Sequence, residues 1–292
     1  MHPLIGKLLA SSPVITDGAL GTQLQALGLA PGEHPDLWNL SHPERVQQVA
    51  SAYVAAGSRI ILTNTFRSNR IALAGHGGAE RVGELNAAGV RIARAAAGSV
   101  CAVFASMGSS GKMLMSGDVS EEELSVAFAE QAGVLAQAGV DAIALETMTD
   151  LDETLIALRA AKLTGLPVVA SMVFDSGKQK DRTMMGKTPE QVAAALTEAG
   201  ADVIGANCGL GIDGYIPVCR RLKASSPLPI WIKPNAGLPA MVDGRITYRT
   251  TAEEFAARIP ALRAAGADFI GGCCGTTPEF IRSVVSALQK AS

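Results

Sequence analysis

The chain has 292 residues, 48% hydrophobic, 18% charged and 4% aromatic, with a formal net charge of -2. That length buries a large core, while the near-neutral charge and scarce aromatics argue against an electrostatic nucleic-acid or membrane-surface binder and against a base-stacking platform. No run of about eighteen apolar residues suggests a membrane span.

In chain order, the opening "MHPLIGKLLASSP" carries a short apolar patch without the long apolar centre of a signal peptide. With five cysteines, an odd number, the expectation is a cytoplasmic protein whose thiols are core residues, nucleophiles or metal ligands. Four segments then echo each other: "YVAAGSRIIL", "LAQAGVDAIAL", "LTEAGADVIGA" and "LRAAGADFIGG". Each reads as a helix end, a glycine able to take positive φ, and an apolar run of the kind buried on both faces in a parallel sheet. Outward from these anchors, strands are expected near 14–17, 59–63, 100–106, 142–146, 167–173, 202–207, 229–233 and 267–271. Helices are expected near 43–57, 80–97, 121–139, 150–163, 189–199, 213–224, 251–265 and 278–289. Ser41 stands just before "HPERV", and Thr188 and Thr277 just before "PEQV" and "PEFI"; all three are expected to cap helices. Eightfold strand–helix alternation without a linker predicts a single-domain α/β protein, a (β/α)8 TIM barrel over residues 1–292. "DGALGTQL" lacks the GxGxxG spacing that an open dinucleotide-binding sheet would need.

Barrel enzymes place their chemistry at the carboxyl ends of the strands. Asp17, Asn64, Glu146, Asn207, Cys208, Asn235, Cys273 and Cys274 all fall at or just past such ends; Cys101 and Cys219 do not. Strands 6 and 8 are separated only by strand 7, so Cys208 can meet the Cys273–Cys274 pair. Gly271, Gly272 and Gly275 are expected to give the backbone freedom to turn both sulfurs to one side. Three readings stay open on this pattern: a catalytic zinc with three thiolates and a vacant fourth position, buried inert thiols, or a redox dithiol. An open zinc–thiolate site suits a soft incoming ligand, a thiol above all, and so suits thiol alkylation.

The segments "DGALGTQL", "TNTFRSN", "ALETMTDLDE", "GANCGLG", "KPNAGLP" and "GGCCGTTPE" together resemble the homocysteine S-methyltransferase family, in particular the homocysteine-binding barrel of cobalamin-dependent methionine synthase, over about residues 13 to 286. The resemblance implies zinc on Cys208, Cys273 and Cys274 and homocysteine as methyl acceptor. It implies that the loop of Asp17, Gly18 and Ala19 holds the amino-acid end of homocysteine and that Glu146 receives its ammonium. Asn235 matches a residue that fills the fourth zinc position before substrate arrives, while Asn64 and Asn207 read as pocket-shaping hydrogen-bonders.

The methyl donor is less legible. The chain stops at Ser292, where methionine synthases continue into folate, cobalamin and activation modules. The expected donor is therefore S-methylmethionine, S-adenosylmethionine, or a separate corrinoid or folate protein. Betaine would want an aromatic cage; Trp38 roughly matches one cage position, but Arg67 and Thr147 stand where the betaine branch has aromatics. Other functions in view are a homocysteine-binding subunit inactive alone and a dithiol redox protein. The segment 109–124, with Met113 and Met115, reads as either a soft lid or ordinary surface.

Overall fold

The computed structural model describes residues 1–242 and 245–290. It contains ten strands: β1 (Val14–Ile15), β2 (Ile60–Leu62), β3 (Ala102–Met107), β4 (Ala142–Met148), β5 (Val168–Met172), β6 (Val203–Gly211), β7 (Ile230–Asn235), β8 (Ala240–Val242), β9 (Arg245–Thr247) and β10 (Phe269–Ile270). Eight are parallel, in the order β1-β10-β7-β6-β5-β4-β3-β2. A parallel bridge between Thr16 and Ile60 closes the ring, and the Arg59 N–H donates to the Ile15 carbonyl at 2.7 Å. The expected (β/α)8 barrel is therefore the observed fold. Strands β8 and β9 form an antiparallel hairpin after β7 that the apolar pattern does not announce.

The four echoing segments behave as their glycines require. Gly57, Gly139, Gly200 and Gly266 have φ of 102°, 92°, 83° and 103°, and each ends a helix before the chain enters a strand. In three of the four units an aspartate follows two residues later. Asp141, Asp202 and Asp268 accept hydrogen bonds from the backbone N–H of Val103, Val168 and Ile230 at 2.7, 2.9 and 2.9 Å, each on a neighbouring strand. Each also pairs with a cation: Arg94, Lys162 and Lys223 respectively. The repeat thus stitches the amino-terminal face of the barrel, the stabilising rather than the catalytic end.

The barrel interior is filled by Val14, Ile60, Leu62, Phe104, Ala142, Ala144, Val169, Val203, Trp231 and Phe269. The Trp231 ring lies 6.1 Å from Phe104 and 5.6 Å from Phe269. Gly205 makes room for it, since a Cβ there would sit 2.0 Å from the Trp231 carbonyl oxygen. A helix over Pro3–Leu9, the apolar patch at the start of the chain, sets fully buried Ile5 into this same cluster and closes the base.

Local differences from expectation have local causes. Thr188 forms a reciprocal capping box with Gln191, and the Thr277 hydroxyl accepts from the Glu279 N–H at 3.2 Å. Ser41 does not cap. It ends its own short helix, Trp38–Ser41, and its hydroxyl donates back to the Leu37 carbonyl. His42 precedes the next helix without a side-chain cap, and Pro43, which has no N–H to satisfy, starts it. The helix expected over 251–265 is two, Ala252–Ala257 and Ile259–Ala264, meeting at Arg258, because Pro260 has no N–H for the carbonyl four residues back. No helix among the described residues is long and apolar enough to cross a membrane.

Candidate active site at the carboxyl ends of the strands

Cys208 lies in β6 and Cys273 and Cys274 follow β10. Their three Sγ atoms lie within 4.8 Å of one another, and Cys208 and Cys274 are 3.9 Å apart. Zinc–sulfur bonds of about 2.3 Å in a tetrahedron place sulfurs roughly 3.8 Å apart, so this donor set fits a divalent thiophilic metal. As free thiols the three hold their protons. Close contact with the neighbouring thiols, opposing in sign, and burial together push Cys208 and Cys274 up to about 12. Cys101 and Cys219 are buried elsewhere, their thiols turned to the Ser58 and Ala265 carbonyls.

The glycines around the pair do different jobs. Only Gly275 has a positive φ, 80°. Gly271 and Gly272 are not there for torsional freedom. A Cβ on Gly271 would meet Thr16 Oγ1 at 2.0 Å, and one on Gly272 would meet Thr276 Oγ1 at 2.4 Å. Gly271 allows close approach between the β10 and β1 ends, and Gly272 lets the turn after β10 fold back so that Thr276 packs against it. Backbone bonds then fix the turn: the Cys273 N–H donates to the Pro234 carbonyl at 2.7 Å, and the Ala236 N–H to the Cys274 carbonyl at 2.9 Å.

The sulfurs open on a cavity of about 350 Å³ lined also by Asp17, Phe66, Arg67, Ser106, Glu146 and Lys233. Glu146 accepts a hydrogen bond from the Ser106 hydroxyl. Burial raises its carboxyl pKa, opposed by the charge of Lys233. Asp17 is 2% exposed and both its oxygens are engaged. Oδ1 receives the Lys233 ammonium at 2.6 Å, and Oδ2 receives the Leu62 N–H at 2.7 Å. Burial alone would lower the Lys233 pKa; Asp17 and Glu146 outweigh it and raise it. The sequence reading missed Lys233, although a lysine inside the apolar run "PIWIKPN" was a visible anomaly.

Gly18 and Ala19 form a tight loop against a second residue the reading missed. The Tyr53 hydroxyl donates to the Ala19 carbonyl at 2.8 Å and also reaches the Thr276 carbonyl at 3.2 Å. A Cβ on Gly18 would lie 2.7 Å from that hydroxyl, so the space glycine leaves is taken by Tyr53 and Thr276. Asn207 is fully buried. Its Oδ1 accepts from the Thr147 N–H at 2.8 Å and the Ser171 hydroxyl at 2.7 Å, and its Nδ2 donates to Thr147 Oγ1 at 2.7 Å. Asn64 Nδ2 donates to the Pro35 carbonyl and to Asn39 Oδ1. Asn235 makes one long bond, Nδ2 to the Gly209 carbonyl at 3.4 Å, and leaves Oδ1 buried without a partner. Trp38 is absent from the pocket wall. It is 1% exposed, with Nε1 bonded to Glu33 at 2.7 Å and the Arg45 guanidinium 5.2 Å over its ring. Met113 and Met115 are exposed and do not line the cavity, which favours the surface reading of their loop over a lid.

An eight-stranded parallel barrel thus presents three convergent thiols that could hold a metal ion, and a carboxylate, at its carboxyl-terminal mouth. The homocysteine S-methyltransferase family matches over residues 14–288, and the chain belongs to that family. Similar curated proteins are the methionine synthases of Mycobacterium leprae, 29% identical over 98% of this chain, and Mycobacterium tuberculosis, 30% identical over 96%. The chain spans about a quarter of the length of each. Among solved structures, the metallated form of the homocysteine methyltransferase MmuM from Escherichia coli superposes with a TM-score of 0.81 at 23% identity, covering 98% of this chain and 99% of that one.

Proposed function

We propose that residues 1–292 act as one methyltransferase domain that passes a methyl group to the thiol of homocysteine, giving methionine, with zinc held by Cys208, Cys273 and Cys274. The observation that carries this reading is the meeting of three sulfurs, two of them 66 residues apart in the chain, at the mouth of a cavity that also presents a carboxylate. When bound, zinc supplies thiol activation: it lowers an acceptor pKa of about 8.5 so that the sulfur is a thiolate at neutral pH. The chain's own groups do the rest. Glu146 receives the homocysteine ammonium through a charge-assisted hydrogen bond. The loop of Asp17, Gly18 and Ala19 bounds the amino-acid end. Asn235, with its unpartnered Oδ1, is the chain's own donor for the position the thiol takes over. Asn64 and Asn207 hold the walls in place.

The proposed donor is a sulfonium, S-methylmethionine or S-adenosylmethionine. A betaine cage is disfavoured because Phe66 is the one aromatic on the cavity wall among the described residues, and it stands next to cationic Arg67. A second reading follows from the methionine synthases, of which this chain matches a quarter: a homocysteine-binding unit served by a corrinoid or folate carried on another protein. A donor panel decides. Zinc-replete protein is given homocysteine with S-methylmethionine, S-adenosylmethionine, betaine, methylcobalamin or methylfolate, and methionine is measured. Formation from a sulfonium supports the first reading, and formation only from the last two supports the second. No methionine from any donor, in protein holding stoichiometric zinc, overturns both.

A further inference from the structure

The cavity is lined by three carboxylates, Asp17, Asp36 and Glu146, and by two cations, Arg67 and Lys233; Asp36 Oδ2 already accepts from the Arg67 N–H and the Ser68 hydroxyl. Lys233 is 2% exposed and lies on β7, separated only by β10 from Asp17, which follows β1. Both Asp17 oxygens already have a donor, Lys233 Nζ on one and the Leu62 N–H on the other, and the charge of Asp17 is neutralised by Lys233. Glu146 lines the cavity with one oxygen on the Ser106 hydroxyl and the second without a hydrogen-bond donor among the described residues. A buried carboxylate without a partner is costly, so an unpaired Asp17 would compete with Glu146 for any cation that entered.

We propose that Lys233 is a specificity-determining positioning residue: held on Asp17, it occupies the carboxylate that an incoming amino group must not take and leaves Glu146, rather than Asp17, as the ammonium acceptor. This rests on the homocysteine reading and sharpens it. With the pair formed, the cavity wall carries one net negative charge, from three carboxylates and two cations. It therefore selects thiols that bear one amino group, and it places that group on the β4 side of the cavity rather than the β1 side. Lys233 acts through Asp17 and Glu146 and need not touch the reacting sulfur.

The test is a charge-compensating pair of variants read by binding. Zinc-loaded wild type, Asp17→Asn, and Asp17→Asn with Lys233→Met are titrated calorimetrically with three thiols. These are homocysteine, mercaptobutyrate (the same skeleton without the amino group) and aminopropanethiol (the same skeleton without the carboxylate). Asn at 17 can still accept the Leu62 N–H, but it releases Lys233 toward Glu146. The single variant should bind homocysteine and aminopropanethiol about ten- to a hundredfold more weakly, the value of one charge-assisted hydrogen bond. Its mercaptobutyrate binding should not fall. The double variant removes both charges, restores a cradle of one net negative charge, and should recover most of the loss, a coupling that two independent structural defects do not produce. A double variant as weak as the single one, equal losses for all three thiols, or loss of zinc from Asp17→Asn makes the pair a structural brace and overturns the inference. Wild type that binds homocysteine no better than mercaptobutyrate overturns the homocysteine reading itself.

Discussion

Replacing Cys208 separates two quantities that the native residue combines. Its φ is 64°, a left-handed conformation that costs a residue with a Cβ about 1–2 kcal/mol. Glycine escapes that cost but gains freedom in the unfolded chain, which returns about 0.4–1 kcal/mol. In metal-free protein, Cys208→Gly is therefore expected to be more stable than Cys208→Ala by about 0.5–1 kcal/mol, although both lose the same sulfur. Metal binding answers to the sulfur alone. A full set of structural zinc ligands contributes about 10–16 kcal/mol, so one ligand accounts for roughly 3–4 kcal/mol, or two to three decades of affinity. The assay pairs chelator competition for zinc with urea unfolding in the presence of chelator. Both variants should lose at least about two decades of zinc affinity, and the glycine variant should unfold at higher urea. Undiminished zinc affinity in either variant removes Cys208 from the site, and equal stability removes the backbone strain from the account.

Three further outcomes are expected. Glu146→Gln should raise KM for homocysteine about ten- to a hundredfold by deleting one charge-assisted bond, with kcat within a few-fold; an unchanged KM refutes the ammonium contact. Gly271→Ala should destabilise the protein by about 3 kcal/mol in thermal or denaturant unfolding, because its Cβ would lie 2.0 Å from Thr16 Oγ1 and 2.5 Å from the Asp17 carbonyl oxygen; a neutral result would show that the β1–β10 seam yields. His34 and Asp36 predict a pH dependence with opposite signs. Burial, with His76 and Arg67 adding, lowers the His34 pKa from 6.5 to about 4. The unfolded chain then binds the extra proton, and about 3 kcal/mol of stability present above pH 6.5 is lost on acidification to about pH 4. Burial raises the Asp36 pKa from 3.8 to about 6 despite bonds from Ser68 and the Arg67 N–H, so the folded chain binds the extra proton and stability rises over nearly the same window. The two offset each other in the native protein. The stability of His34→Gln relative to wild type should therefore grow by about 3 kcal/mol between pH 6.5 and 4, and a flat difference rules out a neutral buried imidazole.

The barrel was legible because its signals are local. Gly57, Gly139, Gly200 and Gly266 each mark a helix end, and the apolar runs after them are strands that any parallel sheet would bury. The thiols were legible because residues at strand ends must converge in a closed barrel. What remained hidden depends on atoms far apart in sequence. Nothing near Gly18 announces that Tyr53 will fill the space beside it, and nothing near Gly271 announces Thr16. Trp38 lies near Asn64 in the fold, yet its indole turns away to Glu33, a rotamer choice that no pattern in "DLWNL" contains. Lys233 was the one missed residue with a sequence signal, a charge inside a buried strand, which is stable only with a partner.

The irregularities of the barrel fall where the proposed chemistry needs them. Pairing of β4 with β5 slips between Leu145 and Met148, and pairing of β6 with β7 slips between Asn207 and Gly211. Those two interruptions contain Glu146, Thr147 and Cys208. Thr147 and Cys208 are two of the three non-glycine residues with positive φ among the described residues, at 57° and 64°. A regular strand would point successive side chains to opposite faces; a bulge re-aims them. The cost of such conformations is about 1–3 kcal/mol each and persists only where neighbours enforce them. Here Asn207 enforces both: its side chain holds the Thr147 backbone and hydroxyl, and its carbonyl receives the hydroxyl of fully buried Tyr215 at 3.0 Å, one residue before Cys208. The proposed ammonium acceptor and the first sulfur are thus aimed by one hydrogen-bonded unit. A change at Asn207, whose Nδ2 also lies 3.9 Å from Cys273 Sγ, should disturb homocysteine binding and metal affinity together.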